Sequence, residues 1–201
     1  GDVVVPRVGA RLGEGGAEHV QAAEVGDAGA MKNTGNTHVV RHAGQIYALM
    51  EAAKPIRIAE DLSTVDEYDF DGALRGSFTA HPKFDPETGE MLFFGYNADR
   101  PLGRGMMWGA VDASGRVTRL ERFKAPYSAM VHDFIVTAKH VLFPILPLTG
   151  SIWRAVRGKP PYAFEPKKGA YIGVMKRGGS TRDIVWFRGE ACYVFHVMNA
   201  W

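Results

Sequence analysis

Three histidines stand far apart in the chain, each among apolar and aromatic residues with the character of a β-strand. They are His81 in SFTAHPKFD, His132 in SAMVHDFIV and His196 in ACYVFHVMNAW, separated by 51 and 64 residues. Imidazole nitrogens in apolar surroundings are costly unless they find partners. One metal ion would satisfy all three rings, but spacings this long require the fold itself to bring the ligands together. The pattern therefore predicts a metal held on the axis of a large β-fold.

The chain has the pattern of successive β-hairpins joined by short turns. In the turn Asp85–Gly89, proline presets the backbone and glycine admits a positive φ. Helix signals are nearly absent, apart from a short helical turn expected at Ser151–Arg157. Strand pairs without intervening helices predict an all-β fold of antiparallel hairpins, a propeller or a sandwich. The predicted strands are Ile46–Met50, Met91–Tyr96, Met107–Val111, Val117–Glu121, Phe134–Thr137, Val141–Phe143, Tyr171–Met175 and Ile184–Phe187.

The composition is that of a domain with enough apolar residues for a hydrophobic core and too little positive charge bias for nucleic-acid binding. Of 201 residues, 46% are hydrophobic and 23% are charged, the formal net charge is +2, and the basic residues are scattered. The single cysteine, Cys192, excludes an internal disulfide framework and fits a reducing, cytoplasmic compartment. On a strand, Cys192 would share the face of His196, where we expect a small buried thiol.

The N-terminal part of the chain differs from the remainder. Residues 1–35 hold many glycines and alanines with little periodicity, and we interpret them as a poorly patterned segment ahead of a β-domain over residues 36–201. The start at Gly1 and Asp2 shows neither a basic segment nor an apolar run, which predicts no signal peptide. The longest apolar stretch, Val141–Leu148, contains two prolines and is too short for a transmembrane helix.

The sequence segments around the three histidines resemble those of the carotenoid cleavage oxygenase family. FTAHPKFDPETGE, MVHDF and CYVFHVMNAW occur in the family's order and at its spacings, and NTHVVRHAG from Asn36 is similar to its NTNVVxHAG segment. The resemblance runs to Trp201 and covers less than half of a family member. It implies that residues 36–201 form part of a seven-bladed β-propeller with iron near the propeller axis.

The resemblance also implies the metal and its chemistry. His81, His132 and His196 correspond to iron ligands, and neutral imidazole is a good ligand for Fe(II). In the family, four histidines bind the iron, and dioxygen cleaves a carbon–carbon double bond into two carbonyl products without an organic cofactor. The fourth histidine lies near the family's C-terminus, so we expect this chain to be a fragment that lacks it and is inactive alone. YALME matches a strand whose glutamate hydrogen-bonds an iron-binding histidine, which assigns that role to Glu51.

The resemblance leaves the substrate open between stilbenes and carotenoids or apocarotenoids. FPILPLTGS and FHVMNAW are similar to the bacterial lignostilbene dioxygenase-like members, which cut hydroxylated stilbenes. Those members carry a lysine just before the glutamate, where it meets the phenol oxygen, whereas this chain has Met50. A thioether suits an apolar polyene better, so Met50 is a candidate residue of the substrate pocket, although core packing is the simpler role for a methionine.

Ser151–Tyr162 mixes apolar and basic side chains as an interfacial helix does. In family members that take lipophilic substrates from membranes, this neighbourhood faces the bilayer. In soluble members it is a surface loop, and we expect that role here. Membrane contact is therefore the less expected of the two.

The three histidines are also compatible with two other functions. A three-histidine site also suits zinc, which permits a zinc-dependent hydrolase or lyase. The histidines can also be structural, in which case the chain is a non-catalytic β-propeller binding module. The histidines left outside the site are expected to be exposed. They are His19, His38, His42 and His140.

Overall fold

A computed structural model describes residues 33–198 and residue 200 of the chain. The described residues form three four-stranded antiparallel sheets, a two-stranded hairpin and one short α-helix. This confirms the all-β, antiparallel fold class. Four-stranded antiparallel sheets are the units of which propeller blades are made, and closure into seven blades stays a prediction. Of the predicted N-terminal segment 1–35, all but the last three residues lie outside the described residues.

The first sheet follows chain order. Its strands are β1 (His38–His42), β2 (Gln45–Leu49), β3 (Ile56–Ile58) and β4 (Thr64–Glu67). The β1–β2 hairpin turns at Ala43 and Gly44, whose φ angles of 49° and 75° are both positive, as the favoured two-residue hairpin turn requires. Strand β2 was predicted from the sequence. Strands β3 and β4 were not, because β3 is three residues long and β4 is four residues long with three of them polar.

The second sheet lies between two apolar cores. Its strands are β5 (Lys83–Phe84), β6 (Met91–Tyr96), β7 (Gly105–Val111) and β8 (Val117–Lys124). Successive side chains of a strand point to opposite faces, and every residue of β6 and β7 is buried. One core includes Leu92, Phe94, Trp108, Phe134 and Phe143. The other includes Tyr47, Phe78, Met91, Phe93 and Met107.

The third sheet has the order β14-β13-β10-β9 because an excursion separates β10 from β13. Its strands are β9 (Ile135–Val136), β10 (His140–Ile145), β13 (Ala170–Lys176) and β14 (Val185–Gly189). The excursion contains the hairpin strands β11 (Leu148–Gly150) and β12 (Tyr162–Phe164), with helix α1 (Ile152–Val156) between them.

Helix α1 confirms the helical turn that was predicted at Ser151–Arg157. The Ser151 hydroxyl accepts a hydrogen bond from the backbone N–H of Arg154, the usual way in which serine begins a helix. None of the helices among the described residues combines the length and the apolar character that crossing a bilayer demands.

The three histidines lie in loops, which corrects their assignment to strands. His81 precedes β5 by two residues, His132 precedes β9 by three, and His196 follows β14 by seven. Pro82 has no N–H to donate to a sheet ladder. The side chain of Asp133 accepts the backbone N–H of Phe134 at 2.8 Å. Regular pairing therefore begins only after His81 and His132, and the side chains are carried on bends at the sheet ends.

Two expected burial states are wrong. Cys192 is exposed, because the residues after β14 have left the sheet and the strand alternation no longer applies. His42 is buried, with 7% of its surface exposed, because its Nε2 donates to the Asp112 carbonyl oxygen at 2.8 Å. His42 therefore connects the first hairpin to the β7–β8 turn.

Gly95 is a position where only glycine fits. A Cβ at Gly95 would overlap the backbone carbonyl oxygen of Ser77, which cannot move aside as a flexible side chain can. We expect Gly95→Ala to lower the free energy of unfolding by about 1–3 kcal/mol, measured by denaturant titration. Gly178→Ala is the matched control, since nothing lies within 4 Å of its Cβ position. Equal stability of the two variants would contradict the expectation.

Candidate metal centre

The structure brings the three sequence-predicted histidines together. The ring centroids of His81 and His132 are 4.6 Å apart, those of His81 and His196 are 4.8 Å apart, and those of His132 and His196 are 4.7 Å apart. The rings therefore form a nearly equilateral triangle, although they come from loops of three different parts of the chain. Each offers one nitrogen, and these nitrogens all lie within 4.8 Å of one another.

The nitrogen separations suit a first-row metal ion. The Nε2 atoms of His81 and His132 are 3.0 Å apart, which is the spacing of two neighbouring ligands that each lie about 2.1 Å from one ion. No two ligands of such an ion can be more than about 4.2 Å apart. The span of 4.8 Å is slightly wider. A small rotation of one ring would bring all three within that limit, and the His196 side chain, at 60% exposed, is less enclosed than that of His132, at 14%.

Burial keeps two of the imidazoles in the form that binds metals. Desolvation lowers the pKa of His81, against a raising effect of Asp133. Desolvation also lowers the pKa of His132, and the neighbouring His196 lowers it further. Both rings are therefore neutral at neutral pH, and a neutral imidazole has the free lone pair that a metal requires.

Glu51 lies against the outer nitrogen of His132. Its Oε1 lies against His132 Nδ1, and its Oε2 accepts a hydrogen bond from the hydroxyl of Tyr96 at 2.9 Å. A carboxylate at Nδ1 holds the ring proton there and leaves the Nε2 lone pair facing His81. Burial raises the pKa of Tyr96, so this phenol stays protonated and donates to Glu51.

Met50 lies beside Glu51 but its sulfur faces the chain before β1. Met50 Sδ accepts contacts from the backbone N–H of Thr34 at 3.3 Å and from the Thr34 hydroxyl at 3.5 Å. The assignment of Met50 to a substrate pocket stays a prediction.

Asp133 and Tyr96 are site neighbours for which the sequence analysis gave no role at the metal. Asp133 accepts the backbone N–H groups of Phe134 and Val197. It also forms an ion pair with Lys83 at 2.7 Å. The partners of Tyr96 and Asp133 are 45 and 64 residues away along the chain, and no local pattern signals such contacts.

Most of the chain matches one known protein family and several oxygenases. Residues 9–201 match the family model described as retinal pigment epithelial membrane protein (RPE65). An isoeugenol monooxygenase of Pseudomonas putida is 44% identical over 172 residues, which is 85% of this chain and 36% of that protein. A carotenoid cleavage oxygenase of Mycobacterium tuberculosis is 30% identical over 99% of this chain and 46% of its own length. The chain thus spans less than half the length of these relatives.

A solved structure shows the same fold. The lignostilbene dioxygenase of Pseudomonas brassicacearum superposes with a TM-score of 0.78 at 37% identity, over 82% of this chain and 35% of the other. The cobalt-substituted apocarotenoid oxygenase (ACO) of Synechocystis superposes with a TM-score of 0.73 at 25% identity, over 86% of this chain and 38% of the other.

Proposed function

The chain belongs to the retinal pigment epithelial membrane protein (RPE65) family, and from this premise we propose that the full-length protein is a non-haem Fe(II) dioxygenase. Its reaction is the cleavage of a carbon–carbon double bond of a conjugated alkene, a stilbene or a carotenoid or apocarotenoid, with O2 to give two carbonyl products. The observation that carries the proposal is the convergence of His81, His132 and His196 with Glu51 behind His132. The oxygenase names of the relatives support the reaction class.

The residues present fit ferrous iron. Three neutral imidazoles surround a metal with less negative charge than the two-histidine, one-carboxylate set of many iron oxygenases. Iron, when bound, supplies the site at which dioxygen is activated for cleavage of the alkene. His81 and His132 offer facing lone pairs, and Glu51 keeps the His132 proton on the far side of its ring. The fourth histidine, and with it the fragment character of this chain, stays a prediction of the family resemblance.

The reaction class is tested by the products and the oxygen balance. The full-length protein, purified without oxygen and then exposed to air, is expected to convert a stilbene or an apocarotenal into two carbonyl compounds. One O2 is consumed for each alkene, because each product receives one oxygen atom. Conversion at the same rate under argon, or hydrolysis of an ester without alkene cleavage, would refute the proposal.

The substrate class is tested at Met50. A buried phenol oxygen without a partner costs about 1–3 kcal/mol, and the Met50 thioether is at best a weak acceptor. We therefore expect slow cleavage of a 4-hydroxystilbene, and we expect Met50→Lys to raise its turnover relative to an apocarotenal. Carbonyl products from both substrates are quantified by chromatography. If the native protein already prefers the hydroxystilbene and the lysine variant behaves identically, Met50 is a core residue.

Helix α1 has exposed apolar side chains, and their exposure fits both a surface loop and a helix that contacts a membrane. Ile152, Trp153 and Val156 are exposed by 52%, 68% and 66%. A surface loop and an interfacial helix both leave such side chains exposed. Membrane contact stays a prediction of the family resemblance.

A further inference from the structure

One buried carboxylate contacts residues within two positions of all three histidines. Asp133 Oδ1 lies 2.7 Å from Lys83 Nζ and accepts the Phe134 N–H at 2.8 Å, while its Oδ2 accepts the Val197 N–H at 3.3 Å. Lys83 is two residues after His81, Asp133 is next to His132, and Val197 is next to His196. Each contact of Asp133 therefore involves a segment that carries a different histidine.

Two of the three contacts are short, and the third is longer. Only 5% of the Asp133 side chain is exposed, and its contacts with Lys83 and with the Phe134 N–H, at 2.7 and 2.8 Å, have the lengths of charge-assisted hydrogen bonds, whereas the contact with the Val197 N–H is 3.3 Å long. The Lys83 ammonium also lies 5.7 Å from the centre of the Phe134 ring, which fixes the lysine over the loop that follows His132. Asp133 Oδ2 is 4.0 Å from His196 Nδ1, so it faces the ring as well as the backbone of the third loop.

We propose that Asp133 is a positioning residue that ties the three histidine loops together and thereby sets the metal affinity of the cluster. The inference rests on the proposed metal site. Glu51 acts differently, because its carboxylate contacts the ring of His132 and the Tyr96 hydroxyl, and it leaves the other two loops untouched. Asp133 fixes the positions of the three rings relative to one another. A site whose ligands come from separate parts of the chain needs such a connection to hold its geometry.

The test compares two aspartates that have the same kinds of partners and little exposed side-chain surface. Asp85 accepts the N–H groups of Glu87 and Thr88 at 2.7 and 3.1 Å and pairs with Arg177, and 9% of its side chain is exposed. Asp85 thus resembles Asp133 chemically but bonds no residue adjoining His132 or His196. Asp133→Asn and Asp85→Asn are made in the full-length protein, and Co(II) affinity is measured by competition with a chelator. Thermal unfolding of the metal-free proteins is recorded alongside.

We expect Asp133→Asn to weaken Co(II) binding about 10- to 100-fold, as loss of a residue that orients ligands does, and to alter the visible Co(II) spectrum. Asp85→Asn should stay within about twofold of the native affinity, even if both variants lose thermal stability, since its partners Glu87, Thr88 and Arg177 do not adjoin His132 or His196. An equal change of affinity in the two variants would overturn the inference. Failure of the native protein to bind Co(II) at the histidines would instead refute the proposed metal site.

Substitutions of Lys83 provide a second test of the role of Asp133, which applies even if Asp133→Asn does not fold. Lys83→Met removes one of the three ties and leaves both N–H bonds of Asp133 in place. It should weaken Co(II) binding, and Lys83→Arg should restore most of the affinity because the positive charge returns. Native affinity in Lys83→Met would overturn the inference.

Discussion

Replacing His132 with alanine is expected to remove most of the iron from the full-length protein. His132 contributes one of the two nitrogens that stand 3.0 Å apart, and its outer nitrogen contacts Glu51. Alanine removes the ligand and leaves the Glu51 carboxylate without its imidazole. Loss of a direct ligand costs more than the roughly 10- to 100-fold that follows from changing a residue behind a ligand. Iron is measured per chain by elemental analysis after purification without oxygen.

His140→Ala is the matched control for this result. His140 is exposed at the start of β10. Its backbone N–H donates to the Thr137 hydroxyl, and its carbonyl oxygen accepts the Thr137 N–H. The control should keep the iron content and the folded state of the native protein. Native iron content in the His132 variant would show that this ring is not a ligand.

Changing Glu51 to glutamine is expected to weaken metal binding about 10- to 100-fold while the fold is kept. Glutamine has nearly the shape of glutamate, so it can still meet Tyr96, but it lacks the negative charge that holds the proton on His132 Nδ1. Metal affinity by chelator competition and the rate of alkene cleavage should fall together. Circular dichroism should remain that of the native protein.

Glu60→Gln serves as the control for the loss of one carboxylate charge. Glu60 is 83% exposed and pairs with Arg41 at 2.6 Å on the surface, where an ion pair contributes little to stability or function. Metal affinity in this variant should match that of the native protein. If the Glu51 variant matches it too, Glu51 has no influence on the metal.

The strands that were predicted are apolar or alternating runs next to clear turns, whether or not their residues are buried. Met91–Tyr96 was predicted with the bounds that the structure has, because a wholly apolar strand follows a clear turn. Strand β4 is four residues long and three of them are polar, so its sequence carries little strand signal. Cys192 was misplaced for a related reason. Alternation applies only inside a sheet, and the sequence does not show that the chain leaves the sheet after β14.

The site was predictable only in part. His81, His132 and His196 were singled out by their apolar settings, and the family resemblance added their role as iron ligands and Glu51. The structure brings all four together. The contacts of Asp133 with Lys83 and Val197 join residues 50 and 64 positions apart. Such contacts depend on how the sheets stand against each other. A single sequence without aligned relatives contains no record of that arrangement.

The metal content of the native full-length protein tests the central claim most directly. Protein purified without oxygen is analysed for iron and zinc together with the protein concentration. The account predicts close to one iron per chain and little zinc, because the three imidazoles can bind either metal but the proposed dioxygenase needs a redox-active metal, which zinc is not. Stoichiometric zinc without iron would contradict the dioxygenase and favour a zinc hydrolase or lyase, and absence of both metals would favour a binding module with structural histidines.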